Sequence, residues 1–317
     1  MPYSTGKPGD RKEKWVRIEL SSPSELIDPL SNFLTEIGAQ GVFQEEPEPQ
    51  SSPDFGLSSN RETIKTYLPL DIQLEDRIAS LKTYINSLTE LFPGSGEVRL
   101  TKETAPDQNW GEEWKKYFKP LRVSKNVVIK PTWERYTPAG RDIIVEIDPG
   151  MAFGTGQHPS TRMCLAAVEN ILLKNRGIEN WRVLDVGTGT GILGISCAKL
   201  GAGHVVCVDV DKKAAEIARE NVMINHVENK VEVINCDVNT IHEPFNLIVA
   251  NLTAKILIKI HSHLASLMKK NGYLVVSGII DQNRGDIESH FLTGSFISGD
   301  VVTEKEWICC VFRKNGG

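Results

Sequence analysis

The sequence predicts an α/β protein: an open, mostly parallel, seven-stranded sheet covered by helices, behind a smaller α+β domain. Three observations predict it. Strand-like and helix-like stretches alternate from residue 181 to residue 280, which implies a parallel sheet clad on both faces. Residues 14–100 read as strand–helix–strand, twice over. A chain of 317 residues is long for one domain, and two are expected.

The elements follow in order. Trp15 to Leu20 alternates apolar and polar residues, as a half-buried strand does. Ser24 is placed to cap a helix carrying Leu26, Ile27, Leu30, Phe33, Leu34 and Ile37, which stops at Gly38. Gln40 to Gln44 forms a second strand, residues 45–60 a loop rich in Glu, Pro and Ser, and Thr63 to Leu68 a third strand. Arg77 to Leu91 has helical spacing through Ile78, Leu81, Tyr84, Ile85 and Leu88, and Glu97 to Lys102 closes with a fourth strand. The order β-α-β-β-α-β is the ferredoxin-like pattern. This domain is expected to span 1–103, followed by a linker over 104–125 and the large domain over 126–317. In the linker, Trp110, Trp114 and Phe118 recur every four residues, the spacing of a short amphipathic helix.

The large domain opens with two strands, Asn126 to Lys130 and Ile143 to Ile147. Pro159 suits the first turn of a helix running to about Lys174. Then come strand 181–186, helix 191–200, strand 204–209, helix 212–225, strand 231–236, strand 245–251, helix 253–269 and strand 272–280. The tail, Phe296 to Val302 and Trp307 to Phe312, reads as a closing antiparallel hairpin.

Composition excludes several classes. Hydrophobic residues make up 40% and charged residues 24%, ordinary for a globular protein. No apolar run approaches the ~20 residues of a membrane span, and the N-terminus is polar, so neither insertion nor export is expected. The six cysteines form no CxxC pair. Cys309 and Cys310 are adjacent on a strand and point to opposite faces, which rules out a shared metal site. A reduced, cytoplasmic, metal-free protein is expected. The net charge of −5 is uneven: residues 1–100 carry 10 Lys and Arg against 16 Asp and Glu, and residues 101–141 carry 9 against 5. An acidic front domain suits a basic protein partner. No dedicated nucleic-acid surface is evident, and nothing argues against a monomer.

The most informative stretch is Val183 to Leu193, a buried strand, a glycine-rich turn and the start of a helix. Asp209 lies 18 residues past Gly191, at the end of the next apolar strand. Glycines let the backbone approach a ligand closely, and an acidic residue at that strand end can accept from both ribose hydroxyls. The spacing discriminates between cofactors. A dinucleotide fingerprint has G-x-G-x-x-G, but its third slot here holds Ile192. The pattern is instead G-x-G-x-G with Asp185 two positions ahead. This resembles motif I of Rossmann-like methyltransferases that use S-adenosylmethionine, and Asp185, Gly187, Thr188, Gly189 and Gly191 are read as part of that cofactor's site. In open α/β sheets, ligands bind beyond the carboxyl ends of the strands. Gly187, Asp209, Asp237 and Asn251 all fall at such ends. Asp237 suits either the adenine amino group or a turn cap. Asn251 can meet both the methionyl part of the cofactor and an incoming amine.

Four segments extend the resemblance. Asp148 to Thr161, Val183 to Leu193, Val249-Ala250-Asn251-Leu252 and Glu304-Lys305-Glu306-Trp307 are similar to signature segments of the PrmA family of bacterial ribosomal protein L11 methyltransferases. The residues Trp110 to Trp114 fit as well. The resemblance implies a class I, Rossmann-like methyltransferase fold and a smaller substrate-recognition domain. It further implies transfer of methyl groups to lysine ε-amines and an N-terminal α-amine of L11. It assigns Thr161, Gly187, Asp209 and Asn251 to S-adenosylmethionine, with Phe153 and the Gly154 to His158 loop covering the site. Thr188, Thr190, Leu252 and Thr253 depart mildly from the family pattern.

The chemistry is in-line attack of a neutral amine on a sulfonium methyl, where positioning supplies much of the acceleration. Asn251 is expected to orient the amine. His158, the imidazole of the signature loop, suits either proton transfer or a loop-fixing hydrogen bond. Three other readings exist. A methyltransferase of the same fold acting on another protein or small-molecule amine is one. A planar-amide substrate is disfavoured by Asn251-Leu252-Thr253-Ala254, which lacks prolines and an aromatic. An NAD-dependent oxidoreductase is opposed by Ile192, and a non-enzymatic adaptor by the intact glycine turn.

Overall fold

The computed structural model describes residues 15–23, 26–45, 61–92, 96–104, 118–148, 156, 158–175, 180–292 and 296–316. The chain divides into two compact units, residues 1–117 and 118–317. Ser24, the loop over 46–60, Trp110, Trp114 and Phe153 lie outside the described residues.

The first unit contains β1 (Trp15–Pro23), α1 (Ile27–Glu36), β2 (Gln40–Glu45), β3 (Arg61–Pro69), α2 (Leu74–Leu91) and β4 (Arg99–Thr104). Its sheet has the order β2-β3-β1-β4, with every neighbouring pair antiparallel. That is the arrangement the β-α-β-β-α-β order requires. The alternation in β1 sends Val16, Ile18 and Leu20 inward, where they are fully buried with Leu30 and Leu34 of α1 and Leu81 of α2. In α2 the buried residues Leu74, Ile78, Leu81, Ile85 and Leu88 recur at three- and four-residue intervals, one stripe of a helix.

The second unit begins with β5 (Leu121–Arg122), β6 (Val127–Lys130) and β7 (Ile143–Glu146), which form a small sheet of their own. The two residues of β5 are too few to carry a periodic signal. Asn225 locks the edge of this sheet by accepting from the Glu146 N–H at 2.8 Å and donating to the Glu146 carbonyl at 2.6 Å.

The main sheet follows: α3 (Pro159–Lys174), β8 (Arg182–Val186), α4 (Ile192–Lys199), β9 (His204–Asp209), α5 (Lys212–Ile224), β10 (Val231–Asn235), β11 (Phe245–Asn251), α6 (Ala254–Leu267), β12 (Met268–Ile280), α7 (Arg284–Phe291), β13 (Phe296–Glu304) and β14 (Trp307–Lys314). Its seven strands run β10-β9-β8-β11-β12-β14-β13. The first five are parallel, and β14 is antiparallel to both its neighbours. Strand order reverses between β8 and β11, and in open α/β sheets that switch point is where the ligand crevice lies.

Each strand feeds two cores. Val183 packs on one face of the sheet, Leu184 and Val186 on the other. Cys309 and Cys310 divide between the same two cores, as expected of adjacent strand residues. All six cysteines are free thiols. Two elements differ from expectation. β12 starts at Met268 rather than at residue 272, because Asn271 adopts φ +61° and bends a strand that then continues. Helix α7 is also unexpected: it is short and polar, and only Ile287 and Phe291 are buried. Phe291 stacks on Phe312 with ring centroids 5.2 Å apart.

Among the described residues, no group of three or more His, Cys, Asp or Glu is arranged to hold a metal ion. No described helix is long and apolar enough to cross a membrane.

Candidate active site

Strand β8 delivers the glycine turn to the switch point. Gly187, Gly189 and Gly191 have φ of +68°, +55° and +83°, a region that side chains with a Cβ rarely enter. A Cβ on Gly187 would also sit 2.5 Å from Leu252 Cδ2, so that side chain would have to turn aside. The turn is tied to β9 by the N–H groups of Gly187 and Thr188, which donate to the Val208 carbonyl at 2.9 and 3.1 Å.

Asp185 lies beneath this turn, fully buried. Its Oδ2 accepts from Thr188 Oγ1 at 2.6 Å and from the Gly194 N–H at 3.0 Å, while Oδ1 has no hydrogen-bond partner. Burial pushes its carboxyl up to about 6, against the pull of those two bonds. Thr188 is 5% exposed and turned toward Asp185. Both residues, expected on the cofactor, therefore face the interior side of the turn and brace it.

Asp209 ends β9 on the solvent side. Its Oδ2 accepts from the Gly189 N–H at 3.0 Å and its Oδ1 from the Asp211 N–H at 3.0 Å. These bonds aim the carboxylate at the glycine turn and leave further lone pairs for a diol. Asp237 is exposed after β10. Its Oδ1 caps the next turn, accepting from the Asn239 N–H at 2.9 Å and Asn239 Nδ2 at 2.8 Å. The turn-cap role open to it in the sequence is thus realised through one oxygen.

Asn251 ends β11, with Nδ2 donating to Thr161 Oγ1 at 3.2 Å. Thr161 is 1% exposed, in the first turn of α3. The pair joins residues 90 positions apart, both singled out by the family resemblance.

His158 caps α3: its Nδ1 accepts from the Ser160 N–H at 3.3 Å and lies 2.7 Å from Ser160 Oγ. Its ring meets the edge of Trp307 at 4.7 Å and 75°. Burial, and secondarily the charges of Arg162 and Lys305, push the imidazole down to about 3. A neutral imidazole whose Nδ1 is engaged is a poor acceptor for an ammonium proton. The geometry is that of a loop-fixing cap.

Two positions escaped the sequence reading. Gly278 interrupts β12 at φ +79°, and a Cβ there would lie 2.8 Å from the Leu252 carbonyl oxygen and 2.9 Å from Asn251 Oδ1. Beside it, buried Ser277 donates to the Ile308 carbonyl at 2.8 Å. The only signal was a Ser-Gly step inside an apolar strand. Arg162, one residue past Thr161, pairs with Glu304; an arginine in a helical run carries no signal of that kind.

Comparison with known proteins identifies a family for the chain. Residues 14–315 match the family described as ribosomal protein L11 methyltransferase (PrmA). The ribosomal protein L11 methyltransferase of Pelobacter propionicus is 34% identical over 303 residues, covering 95% of this chain and 98% of that protein. Its counterpart from Geobacillus kaustophilus is 36% identical, covering 95% and 99%. Among solved structures, the ribosomal protein L11 methylase of Lactobacillus delbrueckii subsp. bulgaricus aligns with a TM-score of 0.55 at 29% identity, covering 62% of this chain and all of that one.

Proposed function

Because the chain belongs to the ribosomal protein L11 methyltransferase family, we propose that it methylates amines of L11 at the switch point between β8 and β11. Its methyl donor is S-adenosylmethionine, and its substrate is ribosomal protein L11. When bound, the donor supplies a methyl group on a sulfonium centre.

The residues divide the work. Asp209 takes the ribose hydroxyls, since its carboxylate is fixed by two backbone donors and stands at a strand end. Backbone of Gly187 to Gly191 lines the donor, and Asp185 with Thr188 holds that backbone from below. Asp237 has its second oxygen for the adenine amino group. Thr161 and Asn251 face the methionyl end.

The observation that carries the reading is the Asn251–Thr161 pair at the switch point. With Nδ2 given to Thr161, Asn251 Oδ1 is left as an acceptor for an amine N–H. Gly278 has no Cβ to crowd that oxygen; one would stand 2.9 Å from it. A lysine amine has a reference pKa near ~10.4, and a partly dry site beside a cation lowers it. The proton is then released to water on entry, and the amine lone pair is held in line by Asn251. His158 fixes the loop and takes no proton in this scheme. The modified groups are lysine ε-amines and an N-terminal α-amine.

The acidic N-terminal unit, with its excess of Asp and Glu over Lys and Arg, recruits the basic substrate. The protein works as a cytoplasmic monomer. The test is intact-mass spectrometry of unmodified L11 after incubation with enzyme and S-adenosylmethionine. Mass gains in ~14 Da steps, one per added methylene equivalent, are expected on neutral amines. An unchanged mass, with S-adenosylhomocysteine binding confirmed separately, would keep the methyltransferase fold but discard L11 as the substrate.

A further inference from the structure

The first turn of α3 is fastened from three directions, and one fastening lies outside the donor site. His158 and Arg162 are four residues apart and share one face of the helix. Glu304 and Trp307 are directly opposite each other across the β13–β14 turn, so their side chains emerge side by side. The two pairs match: Trp307 meets His158 edge-on at 4.7 Å, and Glu304 pairs with Arg162. That turn holds only Lys305 and Glu306, and Lys305 adopts φ +53° to close it. The Glu306 carbonyl accepts from the Asp281 N–H at 2.8 Å, which anchors the turn to the end of β12. Between His158 and Arg162 lies Thr161, which holds Asn251.

We propose that Glu304 is a positioning residue for methyl transfer: through Arg162 it fixes the first turn of α3 so that Thr161 keeps Asn251 oriented toward the amine. This rests on the reading of Asn251 given above. The ion pair is only partly buried, with side-chain exposures of 25% and 38%. Such a pair adds little to global stability. Its consequence is local, because small displacements of orienting groups are costly in rate. The hairpin thus supplies a support that the strand-end residues do not provide for themselves.

The experiment measures kcat, KM for L11, S-adenosylhomocysteine affinity and melting temperature for the whole chain and four variants: Glu304→Ala, Glu304→Arg, Arg162→Glu and the double Glu304→Arg/Arg162→Glu. Glu304→Ala is expected to lower kcat about tenfold while the melting temperature moves by no more than about 4 °C. The charge-exchanged double variant is expected to recover most of the kcat that each of its single changes loses, which a generic packing defect would not allow. Wild-type kcat in Glu304→Ala, or a double variant no better than its singles, overturns the proposal while leaving the donor site intact. A native chain that binds no S-adenosylhomocysteine and leaves L11 unmodified sinks the site itself, and this inference with it.

Discussion

Replacing Gly278 by Ala tests whether β12 is shaped around Asn251. The residue has φ +79°, where an L side chain costs about 1–2 kcal/mol. The added Cβ would also stand 2.8 Å from the Leu252 carbonyl oxygen, 2.9 Å from Asn251 Oδ1 and 3.0 Å from the Leu252 carbonyl carbon. Two of those atoms are backbone and cannot rotate away. Relief requires either β12 or the end of β11 to move by several tenths of an ångström, and overpacking of this kind costs about 1–3 kcal/mol more. The combined penalty of about 2–5 kcal/mol is a large fraction of ordinary domain stability but does not by itself unfold the chain. Urea denaturation should show the midpoint falling by about 1 M or more. Methylation in the surviving folded protein should be hit harder than stability, because the atom displaced is the amide oxygen assigned to the amine. A single-turnover rate within twofold of the native enzyme, at a temperature where both are folded, would refute the role given to Asn251 Oδ1. An unchanged urea midpoint would refute the steric argument as well.

The other predictions concern charge. Asp209→Ala removes the proposed ribose acceptor and the Gly189 N–H anchor; two charged hydrogen bonds amount to about 100-fold or more in affinity, measurable by calorimetry with S-adenosylhomocysteine, and unchanged affinity would sink the site assignment. Asp185, raised to about 6 by burial, binds its proton more tightly in the folded chain than in the unfolded one. Its contribution is therefore most favourable below about pH 4 and is lost as pH rises through about 6, a swing of about 3 kcal/mol. Asp185→Asn should remove that swing, so the difference in unfolding free energy between variant and native protein should rise across this window; a flat difference contradicts the assignment. His158→Asn keeps a helix-capping side chain but no imidazole, and should retain most of kcat at neutral pH, whereas a loss of 100-fold with the fold intact would restore His158 as a base.

The parts of the site legible in the sequence were those where one residue type answers a strong local constraint. Gly187, Gly189 and Gly191 declare a left-handed turn at the end of a strand. Asp209 and Asn251 are polar residues ending apolar runs, and such endings have few purposes. The ferredoxin-like order was legible for a similar reason, since Val16, Ile18 and Leu20 alternate while Ile78, Leu81 and Ile85 follow helical spacing. β5 and α7 were not legible, because two residues and eight residues with a pair of buried positions carry no period. Asp185 and Thr188 were legible as members of the turn but not as to their side of it. Which face of a buried strand a carboxylate takes depends on the neighbouring strand, here β9, whose Cys207 Sγ approaches Asp185 Oδ2 at 4.0 Å.

The illegible part of the site has a common character: it consists of groups that act on other groups. Gly278 has no Cβ to crowd Asn251 Oδ1, and Glu304, legible only as part of a signature segment, is proposed to reach the donor site through Arg162 and Thr161. Both acquire their roles from partners distant in the chain, 27 positions away for Gly278 and Asn251 and 142 for Arg162 and Glu304. For a reaction that asks the protein mainly to hold a neutral amine in line, such supports matter as much as the groups that touch the reactants. An in-line displacement needs no acid and no strong base from this chain. On the proposed reading it needs Asn251 to stay where it is. On that reading four strands, β11, β12, β13 and β14, bring Asn251, Gly278, Glu304 and Trp307 to the first turn of α3 and the residue it holds.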